Sequence, residues 1–111
     1  MKTLLDTQTI SAVGTSYSPT FQAGASESGI NAVEAQQNVT DASGTTPTLD
    51  TTVQYSFDGG ATWHDTTAFA QTAIVSEETI SPAQIAPLYR LKYVVGGTSP
   101  VFTFTTALFA H

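Results

Sequence analysis

The chain contains no cysteine, which removes both a disulfide framework and a thiolate metal site from consideration. Its core has to hold by packing alone, and 111 residues suffice for that in one domain. Redox compartment is left open, because a chain without cysteine is compatible with any. Basic residues are nearly absent. Lys2, Arg90 and Lys92 face nine acidic residues, for a net charge of −6. Binding a phosphate backbone needs clustered Lys and Arg, so nucleic acid is not expected as a direct partner, nor is an anionic membrane surface. Charge of either sign is scarce, at 11% of residues against about 25% in ordinary soluble domains. Long apolar runs are missing too. The most apolar stretch, residues 93–110, is broken by Gly96, Gly97, Pro100 and several threonines, so no membrane span is expected. Residues 1–5 meet Asp6 at once, which does not suit a secretory signal.

Threonine takes the place of charge, with 20 residues, and threonine favours strands. Short alternating runs recur between turn signals, which predicts an all-β chain folded as an antiparallel β-sandwich, immunoglobulin-like or jelly-roll-like and rich in hairpins. Residues 1–25 read as an N-terminal arm or short strands, with 14–20 as a loop, and residues 26–111 as the sandwich domain. Val33, Ala35, Gln37 and Val39 alternate, so a strand is preferred there over a helix through 31–37. Residues 48–57 give the clearest strand, with Leu49, Val53, Tyr55 and Phe57 on one face. Residues 88–95 and 101–109 give two more. Ser81-Pro82 predicts at most one short helical turn over 81–85. Two segments repeat one another, Gly44-Thr45-Thr46-Pro47-Thr48-Leu49 and Gly97-Thr98-Ser99-Pro100-Val101-Phe102, and read as two similar hairpins.

The sharpest local signal is Ser56-Phe57-Asp58-Gly59-Gly60-Ala61-Thr62-Trp63. Asp-Gly between alternating runs marks a tight hairpin, because glycine supplies the positive φ that the turn demands. Ser56, Asp58, Gly60, Thr62 and Trp63 stand at the spacing of the Asp-box, a hairpin motif known from sialidase propellers. A propeller needs several four-stranded blades, and one copy in 111 residues cannot supply them. The motif therefore marks a fold element, Ser56, Asp58, Gly59, Gly60, Thr62 and Trp63 forming a structural hairpin with Trp63 as a plug at one end of the sandwich.

No catalytic, metal or cofactor site emerges. His64-Asp65 with Ser56 lacks the oriented base and oxyanion hole of a hydrolase. Glu77 and Glu78 are adjacent, so on a strand they point to opposite faces and cannot flank one glycosidic bond. Asp58 with two glycines lacks the alternating ligands of a calcium loop. Asn38-Val39-Thr40 is a glycosylation sequon by pattern alone. Trp63, Tyr55 and Tyr93 are the candidates for a sugar-binding platform. The uncharged C-terminal strand, with Val101, Phe102, Phe104, Leu108 and Phe109, reads as either central in a sheet or an assembly strand covered by a partner.

Three stretches resemble a group of small structural proteins of tailed bacteriophages. They are residues 44–50, residues 53–63 (Val-Gln-Tyr-Ser-Phe-Asp-Gly-Gly-Ala-Thr-Trp) and residues 89–104 (Tyr-Arg-Leu-Lys-Tyr-Val-Val-Gly-Gly-Thr-Ser-Pro-Val-Phe-Thr-Phe). The resemblance implies a virion component with a β-sandwich body and carries no functional residue with it. Within that group the acidic balance suits the outside of a shell. The expectation is a non-enzymatic capsid decoration (minor capsid) protein, a homo-oligomer taken as a trimer. It is expected to be made in the host cytoplasm and to bind the major capsid protein or other virion proteins on the outer head surface. The alternatives are a neck or tail component, or a carbohydrate-binding or adhesin module.

Overall fold

In the structure, a computed structural model that describes residues 2–22, 32–82 and 86–110, seven strands form one antiparallel sheet. They are β1 (Lys2–Ile10), β2 (Gly14–Tyr17), β3 (Phe21–Gln22), β4 (Val33–Ser56), β5 (His64–Ala68), β6 (Ser76–Ile80) and β7 (Leu88–Ala110). The chain is all-β, with no helix among the described residues. β4 and β7 are 24 and 23 residues long and pair along nearly their whole length, from Val33 opposite Ala110 to Ser56 opposite Leu88. Strands of five or six residues are usual. A ribbon this long must curl to bury a face, and it does so at the register shifts between Val39 and Thr48.

The curl divides the sheet into two layers. In layer one, β1 and β6 flank the pair formed by residues 101–110 and 33–43. In layer two, β2 with β3 and β5 flank the pair formed by residues 88–96 and 48–56. Inner-face side chains of the two layers meet in a single core that includes Val33, Val39, Leu49, Val53, Leu91, Tyr93, Phe104 and Leu108. Tyr93 of layer two sets its ring edge-on to Phe104 of layer one, 4.9 Å between centroids. The arrangement is sandwich-like, made by bending one sheet.

The repeated segments form this bend. They are facing corners, not the two hairpins that their composition predicts. Gly44 (φ 115°) lies against Ser99 and Pro100, and Gly97 (φ 106°) lies against Thr46 and Pro47. A Cβ on Gly44 would stand 2.7 Å from the Ser99 carbonyl oxygen, and one on Gly97 2.6 Å from that of Thr46. Each glycine lets the other strand's corner come close. Thr46 (φ 46°) and Ser99 (φ 49°) complete the reversal in left-handed conformations that cost non-glycine residues energy. The order edge strand, corner, edge strand, long strand occurs twice, once ending in β4 and once in β7. β1 and β2 flank β7 as β5 and β6 flank β4, so the two halves are related by an approximate two-fold axis through the corners.

Two polar seams cross the interior. Thr51 in layer two donates to the Gln37 amide oxygen in layer one at 2.6 Å, and Thr106 donates to the same oxygen at 3.2 Å. The Tyr93 hydroxyl donates to Asp6 at 2.6 Å, and the Gln8 amide donates to both carboxylate oxygens of Asp6. Every buried side-chain polar atom among the described residues has a partner, which matters because an orphaned one costs about 1–3 kcal/mol. Burial, then the bond and charge of Asp6, hold the Tyr93 hydroxyl protonated far above the usual tyrosine range.

Several expectations change here. Of the two readings of the N-terminal residues, arm or short strands, the strands are found: β1 runs nine residues along β7, and Gly14–Tyr17, expected as loop, is a strand as well. β1 also supplies Asp6 to the interior. The C-terminal strand is central between β1 and β4, with Phe102, Phe104 and Leu108 fully buried in the chain's own core. That strand is therefore no assembly edge, although Val101 and Phe109 remain partly exposed on its outer face. Ile74 and Val75 protrude from the β5–β6 connection. The expected helical turn falls partly on residues 83–85, outside the described residues.

Candidate functional site

The hairpin between β4 and β5 brings Ser56, Asp58, Gly59, Gly60, Thr62 and Trp63 together. Ser56, at the end of β4, donates its hydroxyl to Asp58 Oδ1 at 2.7 Å and accepts from the Gly60 amide at 2.9 Å. Asp58 Oδ1 also accepts from the Thr62 amide at 2.9 Å. Gly59 and Gly60 take φ of 75° and 97°, so the chain reverses where side chains with a Cβ would be strained. The hydrogen bonds from Ser56 and then Thr62 favour the Asp58 carboxylate, lowering its pKa from 3.8 to about 2. With these bonds Ser56 clamps the turn.

Trp63 leaves the hairpin on the outer face of layer two, and this corrects its expected place as a plug. It is half-buried and stands outside the core cluster. Its ring passes 3.5 Å from where a Cβ of Gly60 would be, and the Arg90 guanidinium lies 4.3 Å from its centroid. The candidate platform of Trp63, Tyr55 and Tyr93 does not form. Tyr93 is fully buried, and Tyr55 packs toward the core, opposite Tyr89, with Phe57 and His64 each 5.5 Å from its ring.

A different cluster takes that place. Arg90 on β7 and Gln54 on β4 are register partners, and Gln54 is in turn opposite Asp65 on β5. Arg90 Nε donates to Gln54 Oε1, and Gln54 Nε2 donates to Asp65 Oδ1, both at 2.8 Å. Tyr17 on β2 puts its ring 4.0 Å from the same guanidinium, opposite the Trp63 contact in the layer's strand order. Each such cation–π contact contributes about 0.5–1 kcal/mol at an exposed site. The sequence carried one signal for this group: Arg90 and Lys92 alternate with Tyr89, Leu91 and Tyr93, which puts two of the three basic residues on one outward face. Tyr17 gave none, because its segment reads as loop.

The remaining candidates are not brought together. Glu78 accepts from the Ala70 amide at 3.0 Å, while Glu77 accepts from Gln36 at 3.3 Å on the other face. Among the described residues no group of three His, Asp or Glu side chains is arranged to hold a metal ion. No helix among the described residues is long and apolar enough to cross a membrane.

The outer face of layer one is of another kind. On β1 and β7 it presents Thr3, Leu5, Thr7, Thr9, Thr103, Thr105, Ala107 and Phe109 without a charge. Thr7 and Thr105 share a hydrogen bond at 3.0 Å, and Thr9 and Thr103 one at 3.3 Å. Leu5, 68% exposed, borders a shallow hollow of about 330 Å³ with Gln36, Asn38, Ala107 and Phe109.

No family model and no curated protein matches the chain. Among solved structures, one described as the crystal structure of PirA superimposes with a TM-score of 0.60 at 11% sequence identity. The match covers 96% of this chain and 93% of that one. At that identity the likeness is one of fold.

Proposed function

We propose that this chain is a bacteriophage virion structural protein, a capsid decoration protein that binds the outer head surface as a homo-oligomer and stabilises it. The observation that carries the reading is the uncharged, threonine-rich strip of β1 and β7 with Leu5 exposed at its centre. Such a strip can sit against a repeated neighbour without desolvating charge, and covering one leucine contributes about 1.5–3 kcal/mol. The hairpin and corner sequences that resemble phage structural proteins support the same reading, as does the acidic balance of the chain. A small part that repeats over a symmetric shell gains from symmetric self-assembly, and a trimer is the expected form.

The test is reconstitution. Purified protein is added to heads that lack it, and the heads are imaged and heated. Regular density on the outer shell and a raised temperature of head rupture are the expected result. Protein found only at the neck or tail of whole virions, or heads that neither bind it nor gain stability, overturns the proposal.

A further inference from the structure

We propose that the Tyr17–Arg90–Trp63 cluster is a binding site for sugars that carry a carboxylate, with Arg90 as its anchor and Lys92 as its second cation. Three contacts fix the guanidinium before any ligand arrives: the Tyr17 ring at 4.0 Å, the Trp63 ring at 4.3 Å, and the bond from Nε to Gln54. Gln54 is itself held by Asp65. Only Nε is used in hydrogen bonding among the described residues, and no carboxylate there lies against the terminal nitrogens. A planar fork with its orientation set and its terminal donors open matches a carboxylate in two-point contact. Such preorganisation lowers the ordering cost of binding.

Lys92 stands two residues along β7, on the same outward face. The site thus gathers two of the three basic residues of a chain whose net charge is −6. The acidic groups on the same outward face are Asp65, which accepts from Gln54, and Asp50, which accepts from Gln71; acidic charge beyond a Debye length of about 8 Å is screened at physiological salt.

The flanking groups narrow the ligand to a sugar. Tyr17 is 46% exposed and Trp63 half-buried, so both rings keep open surface beside the cation, suited to the C–H face of a pyranose. The neighbouring outward positions Thr52 and Gln54 are polar, and the group lies on an outer face of the sheet. A ligand here must therefore keep most of its polar groups in water. A uronic acid does so while giving a carboxylate to Arg90 and an apolar ring face to the aromatics. The side chain of an acidic peptide supplies the carboxylate alone. The proposal stands apart from the virion reading, since the free protein is expected to bind.

Trp63 is the only tryptophan, so its fluorescence reports this site directly. The intact protein is titrated with tetragalacturonate, its methyl ester and tetraglutamate. A saturable change with tetragalacturonate, at least tenfold weaker with the uncharged ester and with tetraglutamate, is expected. Arg90→Gln and the cation-retaining Arg90→Lys are expected to weaken binding at least tenfold, and Lys92→Gln several-fold, with thermal unfolding recorded for each. Should Arg90→Gln fail to fold, Lys92→Gln together with Tyr17→Leu decides, each expected to weaken binding several-fold. No saturable response, an equal response to the ester or to tetraglutamate, or unchanged binding in the folded variants overturns the proposal.

Discussion

At the scale of single residues, Asp58 shows how a turn can be held by one exposed carboxylate. Its pKa falls to about 2 from 3.8 because Ser56 and Thr62 donate to the charged form. A group with a depressed folded value stabilises the fold above its unfolded value and loses that contribution as pH falls through the folded one. Wild-type protein is therefore expected to exceed Asp58→Asn in melting temperature at neutral pH. The gap should close between about pH 4 and pH 2, and a gap that stayed constant across that range would count against the clamp. The box was legible in the sequence because every contact in it spans four residues or fewer. The place of Trp63 was not. Its side chain goes to whichever face the end of the hairpin presents, and Gly60 and Arg90 make a seat for it outside. Trp63→Ala is accordingly expected to cost about 2 kcal/mol in urea denaturation, short of the roughly 3–5 kcal/mol of a core aromatic.

At the scale of elements, the corners decide the architecture. The sequence around Gly44 and Gly97 announces a reversal, and alternation on each side announces strands. Neither says whether the strand before the turn pairs with the strand after it. Here it does not: each long strand passes through its corner and pairs with the other, some fifty positions away, as Leu49 with Val95 shows. A hairpin would have needed only glycine's conformational freedom, whereas the corner also needs the space left by the missing side chain. Gly44→Ala and Gly97→Ala each force a Cβ to within 3 Å of the opposite backbone at a positive φ. Each is expected to cost on the order of 2–4 kcal/mol, strain and overpacking combined. Gly59→Ala, at a positive φ with nothing within 4 Å of the added atom, should cost less, about 1–2 kcal/mol. Equal losses at the three sites, measured by equilibrium denaturation, would show that conformation alone matters at the corners.

At the scale of the whole molecule, bending one sheet leaves two outer faces with different chemistry. Layer two carries Arg90, Lys92, Tyr17 and Trp63, with Asp50 and Asp65 on its β4 and β5 side. Layer one carries the neutral strip around Leu5, with Glu34, Asp41 and Glu77 confined to the β4 and β6 side. The two proposed contacts should therefore respond to salt differently. A contact made by the neutral strip gains little from long-range charge, so head binding should hardly change as ionic strength rises from about 0.05 to about 0.5 M. Sugar binding through Arg90 should weaken steeply over the same interval. Leu5→Asp separates the faces further. Leu5 is exposed and opposite Ala107 on the outer face, so the substitution should leave the melting temperature within about 2 °C of wild type. It puts a carboxylate into the contact that the strip is proposed to make, where desolvating an unpaired charge costs several kcal/mol. Sedimentation of heads with bound protein should then show at least a tenfold loss of affinity, with tetragalacturonate binding unchanged. Head binding that survives Leu5→Asp but falls with salt would move the capsid contact to the face of Arg90.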